Sequence, residues 1–197
     1  MRIYDISQEV FGCCVYPEDP KPERKVILSI KKGDICNLTS FSMCAHNGTH
    51  IDAPYHFIDD GVGVDNIPLH KMVGYAYVAE IDGDISAEDA KCIISKANGS
   101  DPESSKRILI KGKAVVTYEA AKAFYDSGVY LIGNESQTVG PYDAPAQVHN
   151  LLLSGDIVLL EGIRLSDVKE GVYLLNCAPI NLEGADGSPC RAILIEL

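Results

Sequence analysis

Residues 44 to 57 read CAHNGTHIDAPYHF, and no regular helix can run through them. A helix loses about 1 kcal/mol at Gly48 and about 3 kcal/mol at Pro54, and Ile51 is β-branched. His46 and His50 have the spacing that would put two rings on one helical face, but this stretch has to be extended. In a strand, positions 46, 50, 52 and 56 share parity and point to one side. Full extension would separate 46 from 50 by roughly 13 Å. Ligands of one metal ion must each bring a donor atom to about 2 Å from it. The chain must therefore bend, and Gly48 is the residue that permits it. Asp52 lies one strand repeat beyond His50, near enough to share an ion, and Pro54 stiffens the exit and redirects His56.

This short stretch holds three of the chain's five histidines, where an even spread would put fewer than one. That concentration favours metal binding over a surface loop with incidental histidines. Two further donors stand at a distance: His149 in APAQVHNLLLSGD, and Glu161 at the end of the strand-like DIVLLEG. Each is a weak signal alone. Together His46, His50, Asp52, His149 and Glu161 exceed the three protein ligands typical of a catalytic zinc. They suit two ions bridged by carboxylate, with Asp52 and Glu161 as candidate bridges. His56 is left over, and a side chain that titrates near neutrality suits a general acid or base. No role falls to His70.

Charge narrows the partners. The formal net charge is −11 and the pI about 4.8, which argues against nucleic acid and against acidic lipid. A divalent ion would offset part of that charge. The apolar runs are strand-sized, too short to span a membrane, and MRIYDISQEV lacks the apolar core of a signal peptide. Seven cysteines, an odd number with no CxxC pair, read as reduced thiols in a cytoplasm. Cys44, two residues before His46, invites a Cys–His nucleophile, but strand packing is the preferred reading. Cys177 and Cys190 read as core residues.

The length of 197 residues suits one domain over 1–197. Strands are expected at Ile3–Ile6, Val26–Ile30, Ile35–Met43, Tyr75–Ile81, Arg107–Ile110, Val129–Ile132, Asp156–Leu160, Gly171–Asn176 and Arg191–Glu196. Pro68 should open a helical turn within Asn66–Val73. Ser86, with Asp89 three residues on, caps a helix expected to reach about Ile94, before a loop over 98–105. Further helices follow Thr117, ending at Gly128, and Ala146, ending at Gly155. Strands and helices do not alternate strictly, so a doubly wound parallel sheet is disfavoured. A mixed, barrel-like or sandwich β/α domain fits better.

HNGTHIDAPYHF resembles the HxGTHxDxPxH signature of the cyclase family, whose members include bacterial kynurenine formamidases and isatin hydrolase. The likeness extends through YDIS (4–7), VYPEDP (15–20), GVYLIGNESQTVGP (128–141), VHNLLLSGDIVLLEGI (148–163) and APINLEGADGSPCRAIL (178–194). It implies a mixed α/β, swivelling β/β/α barrel-like domain that assembles as a homodimer or homotetramer. It also implies one or two divalent ions, Zn2+ or Mn2+. His46, His50 and Asp52 would hold the first, and Asp52, His149 and Glu161 the second. His56 would transfer protons while metal-activated water attacks a formamide or small cyclic amide. The chain departs from the formamidase pattern around the opening loop. It has no tryptophan, with Val15 and Tyr16 nearest the usual aromatic, so Tyr16 is the candidate substrate contact. Glu18 replaces a turn glycine, and GNES (133–136) differs from the usual GxD. These departures bear on substrate recognition. They leave isatin-type or lactone hydrolysis and dehydrating cyclisation as alternatives, with a non-catalytic metal-binding protein as the alternative outside enzymes.

Overall fold

The computed structural model describes residues 1–196. In chain order the strands are β1 (Arg2–Asp5), β2 (Glu23–Leu28), β3 (Leu38–Ser42), β4 (His50–Asp52), β5 (Val73–Glu80), β6 (Gly83–Ile85), β7 (Arg107–Lys111), β8 (Ala114–Val116), β9 (Leu131–Asn134), β10 (Val158–Glu161), β11 (Gly171–Asn176), β12 (Gly187–Pro189) and β13 (Ile193–Glu196). The helices are α1 (Ala87–Ser100), α2 (Tyr118–Asp126) and α3 (Ala146–Ser154).

Nine strands form one curled, mixed sheet in the order β1-β13-β11-β5-β7-β9-β10-β4-β12. Its centre, β5-β7-β9-β10, is parallel. The strands flanking this centre pair antiparallel. The edges, β1 and β12, do not meet, so the barrel-like expectation is realised as a half-barrel. Two small sheets, β2-β3 and β6-β8, stand apart from it.

Strand periodicity sorts the core into two layers. Tyr77, Ala79, Ile108, Ile110, Ile132 and Leu159 face the three helices. Their neighbours Ala76, Val78, Leu109, Leu131, Val158 and Leu160 face the opposite side, where Ile6, Val64, Ile67, Met72 and Leu165 cover them. Helices thus sit on one face only, which is why the sequence lacks strict strand–helix alternation.

The capping signals behave as expected. Ser86 Oγ accepts from the Asp89 N–H, and Asp89 reaches back to the Ser86 N–H. Thr117 Oγ1 accepts from the Ala120 N–H. The expected loop at 98–105 is corrected in part, because α1 continues through residues 98–100 and ends on Asp101. Its inward stripe of Ala90, Ile93 and Ala97 keeps the helical period to that point, and this packing outweighs the propensity cost at Gly99.

Candidate metal centre

The histidine stretch is not one strand. Only His50–Asp52 is β-structure, and bends bring in the flanking histidines. Gly48 has a φ of 67°, in the left-handed region that glycine adopts without strain. A Cβ there would also lie 2.9 Å from the Cys13 Cβ. On the far side, Pro54–His56 forms a single 3-10 turn. Thr49 locks the bend, donating from its hydroxyl to the Gly162 carbonyl at 2.8 Å and accepting from the Gln8 N–H at 2.9 Å.

Strand register assembles the rest. β4 lies between β10 and β12, with His50 opposite Glu161 and Asp52 opposite Leu159. His50, Asp52 and Glu161 therefore project to the helical face, where α3 delivers His149. All four are buried. Asp52 Oδ1 lies 2.9 Å from His46 Nδ1 and 3.3 Å from His50 Nε2, and its Oδ2 lies 3.6 Å from His149 Nε2. Glu161 reaches His149 Nε2 through Oε1 at 3.2 Å and His50 Nε2 through Oε2 at 3.5 Å. Three groups of converging donors result: His46–His50–Asp52 and Asp52–His149–Glu161, with Asp52 common to both, and His46–His56–Asp186 beside them.

The residues fit a divalent metal on three counts. Each histidine has one ring nitrogen tied to an acceptor outside the cage, as ligand histidines usually do. His50 Nδ1 donates to the Gly48 carbonyl and His149 Nδ1 to the Pro145 carbonyl, both at 3.0 Å, and His46 Nε2 faces Asp186 at 2.9 Å. Each then turns its other nitrogen towards the carboxylates. Asp52 Oδ2 is a buried oxygen without a hydrogen-bond partner, as an oxygen awaiting a cation would be. Finally, an N/O donor set of histidine and carboxylate suits a divalent metal ion.

Electrostatics follow from the same contacts. Burial opposes charge on His46, but hydrogen bonds to Asp186 and Asp52 carry its pKa up to about 11. Burial likewise opposes charge on His50, where Asp52 and Glu161 raise the pKa to about 9. Asp52, despite its burial, is held well below the carboxylate range by His46 and His50. His56 goes the other way: burial lowers its pKa and the nearby carboxylates only partly oppose that.

A cavity of about 250 Å³ opens over the cage, lined among others by Tyr16, His56, Phe57, Gln137 and Pro145. His56 stands at the cavity wall, its ring stacked 3.9 Å from that of His46. Tyr16 lies on the wall as well, its hydroxyl donating to the Tyr142 carbonyl at 2.9 Å. His70 is elsewhere, its ring against Tyr130. Cys44 is a half-buried residue just before the bend, outside β3. Cys177 is fully buried in the core, and Cys190 packs against it. A larger groove of about 570 Å³ contains none of the cage residues and lies across the 47–49 segment, lined in part by Phe11, Phe41 and Ile180.

Sequence reasoning missed Asp186. It sits between glycine and alanine neighbours just before β12, and its carbonyl accepts the Ala53 N–H at 2.9 Å. Its carboxylate reaches His46 at 2.9 Å and His56 at 3.3 Å. The one available signal was an acid in the closing segment GADGSP, which by itself has no metal-ligand spacing.

A half-barrel with a buried histidine–carboxylate cage at the floor of a cavity is the architecture of a metal-dependent hydrolase. The chain belongs to the cyclase family: the family model described as "Putative cyclase" matches residues 4–141. It is 32% identical to a kynurenine formamidase of Salinibacter ruber, over 98% of this chain and 97% of that protein. It is also similar to the solved structure of a "predicted metal-dependent hydrolase" from Bacillus stearothermophilus, at 27% identity, with a TM-score of 0.80, 98% of this chain and 97% of that one covered. Isatin hydrolase A of Labrenzia aggregata shares the fold at 21% identity and a TM-score of 0.81, over 98% and 93% of the two chains.

Proposed function

We propose that this protein hydrolyses an amide of the aryl-formamide type with the help of one or two divalent ions, zinc or manganese. The observation that carries the reading is Asp52, shared between two converging donor groups directly beside a histidine that neither group needs. Similarity to a kynurenine formamidase along nearly the whole chain supports the substrate class.

His46, His50 and Asp52 would hold one ion, and Asp52, His149 and Glu161 a second. A divalent ion there supplies a nucleophile at neutral pH by lowering the pKa of water to about 7, and stabilises charge growing on the carbonyl oxygen. The chain's own residues do the rest. Burial favours the neutral form of His56, so it can take a proton and return it to the departing nitrogen. An aryl nitrogen leaves more readily than an alkyl one because the ring delocalises its lone pair. Tyr16, Phe57 and Pro145 offer apolar surface for such a ring.

The test is turnover of formanilide and N-formylkynurenine, with isatin as a cyclic comparison, by protein of measured metal content. His56→Ala should keep its metal and lose roughly 10²- to 10⁴-fold in kcat. A metal-replete wild type inert towards every aryl formamide would remove the reading.

We also propose that the chain works as a homo-oligomer in the cytoplasm. Support for the oligomer comes from the hairpin β2-β3, where Val26, Ile27, Leu38 and Phe41 are all exposed. Its strands pair only with each other among the described residues, and such a two-stranded hairpin is marginal alone. The reducing compartment is supported by seven cysteines, all present as free thiols.

A further inference from the structure

We propose that Asp186 is a positioning residue that orients the acid–base ring of His56 and the ligand ring of His46 through a single carboxylate oxygen. The inference rests on the hydrolytic reading above and extends it to a residue outside the two donor groups that share Asp52.

Asp186 Oδ2 lies 2.9 Å from His46 Nε2 and 3.3 Å from His56 Nδ1. The His46 contact is a hydrogen bond, and an ionised carboxylate can only accept, so His46 Nε2 carries a hydrogen. The longer His56 contact is a charge contact, which favours a neutral ring keeping its hydrogen on Nδ1, the nitrogen facing the carboxylate. This choice fixes the other two. His46 Nδ1 keeps its place in the cage, 2.9 Å from Asp52 Oδ1. His56 Nε2 becomes the ring nitrogen that exchanges a proton with substrate. A carboxylate that sets the tautomer and tilt of a working imidazole plays the part of the aspartate in a catalytic triad. One that braces a ligand histidine is the usual outer partner of a metal site.

The segment carrying Asp186 is anchored for this task. Its carbonyl accepts the Ala53 N–H at 2.9 Å, and Gly187 is in register with Asp52 across β12 and β4. The two imidazoles it touches are stacked at 27° with centroids 3.9 Å apart, so moving one ring moves the other. Asp186 itself is 44% exposed, unlike the buried carboxylates of the cage at 1% and 3%. His46, His56 and Asp186 also converge closely enough to hold an ion themselves, so the experiment must separate bracing from ligation.

The experiment uses zinc-loaded protein labelled with ¹⁵N-histidine, its metal content, and formanilide kinetics at saturating metal. In the wild type, His56 should be protonated at Nδ1 and bare at Nε2. Asp186→Ala should lose that pattern and lower kcat about 10- to 100-fold, while KM and zinc stoichiometry stay at wild-type values. Asp186→Asn, whose amide oxygen still accepts from Nδ1, should recover most of the loss. A wild-type His56 protonated at Nε2 would overturn the assignment, and so would unchanged kcat in Asp186→Ala. Loss of a zinc equivalent in both Asp186→Ala and His56→Ala would make Asp186 a ligand and overturn it too. Should Asp186→Ala not fold, the wild-type spectrum and Asp186→Asn still decide. Should the wild type turn over no aryl formamide, the hydrolytic reading fails while the ¹⁵N pattern still judges the bracing.

Discussion

His46, with a pKa raised to about 11, and His50, at about 9, both hold protons at pH 7 in the metal-free chain. A metal needs them neutral, so loading must expel those protons. Between pH 6 and 8 both raised values lie above the working pH, so the sign is clear: apparent metal affinity tightens as pH rises, by about tenfold per pH unit for each proton released. A chelator-competition titration at pH 6, 7 and 8 checks this, and a flat profile would contradict the charged cage. The histidines that converge around Asp52 were legible in the sequence because histidine is scarce and three of the five stand within 46–56. Asp186 was not, because its meaning comes from a contact with residues some 130 to 140 positions earlier. Glu18 is a middle case. The family resemblance marks it as standing where a glycine is usual, and its φ of 73° gives the reason a glycine suits that position.

Among the elements, β4 is short yet decisive. It carries two cage residues, and its pairing with β10 on one side and β12 on the other sets their direction. The β12 side is tightly packed: a Cβ on Gly187 would fall 2.6 Å from His46 Cε1 and 2.7 Å from the Ile51 carbonyl. Gly187→Ala should therefore displace the His46 ring or spread β4 from β12. We expect metal affinity to fall by about 10- to 100-fold, with the melting temperature of the metal-free protein down by roughly 2–12 °C, from an overpacking cost of about 1–3 kcal/mol. Wild-type metal affinity in this variant would show that the ring has room. The parity argument for 46–56 reached residues that do converge, but by an incomplete route. A strand accounts for positions 50 and 52, whereas 46 and 56 arrive by a glycine bend and a proline-led turn. Periodicity reads faces within an element, and it cannot read how a bend folds one segment back on another.

For the molecule as a whole, the sheet order could not be read from the chain, although most strands could. Each strand's own pattern sets its faces, but which strands become neighbours depends on long-range packing. The hairpin β2-β3 is the element least accounted for by this chain's own core. Phe41 is 58% exposed and Ile27 45%. If a second copy covers it, Ile27→Asp with Phe41→Asp should halve or quarter the mass seen by light scattering and leave metal content unchanged. A wild type already monomeric at micromolar concentration would refute the assembly.

The cage is divided along the chain, with His46, His50 and Asp52 on one side and His149 and Glu161 roughly a hundred residues later. While the ribosome is still making the second half, the first half can offer no more than an open-sided cluster. Closure of the cage must therefore follow synthesis of β10, and a nascent chain stalled before it would leave Asp52 without half of its partners.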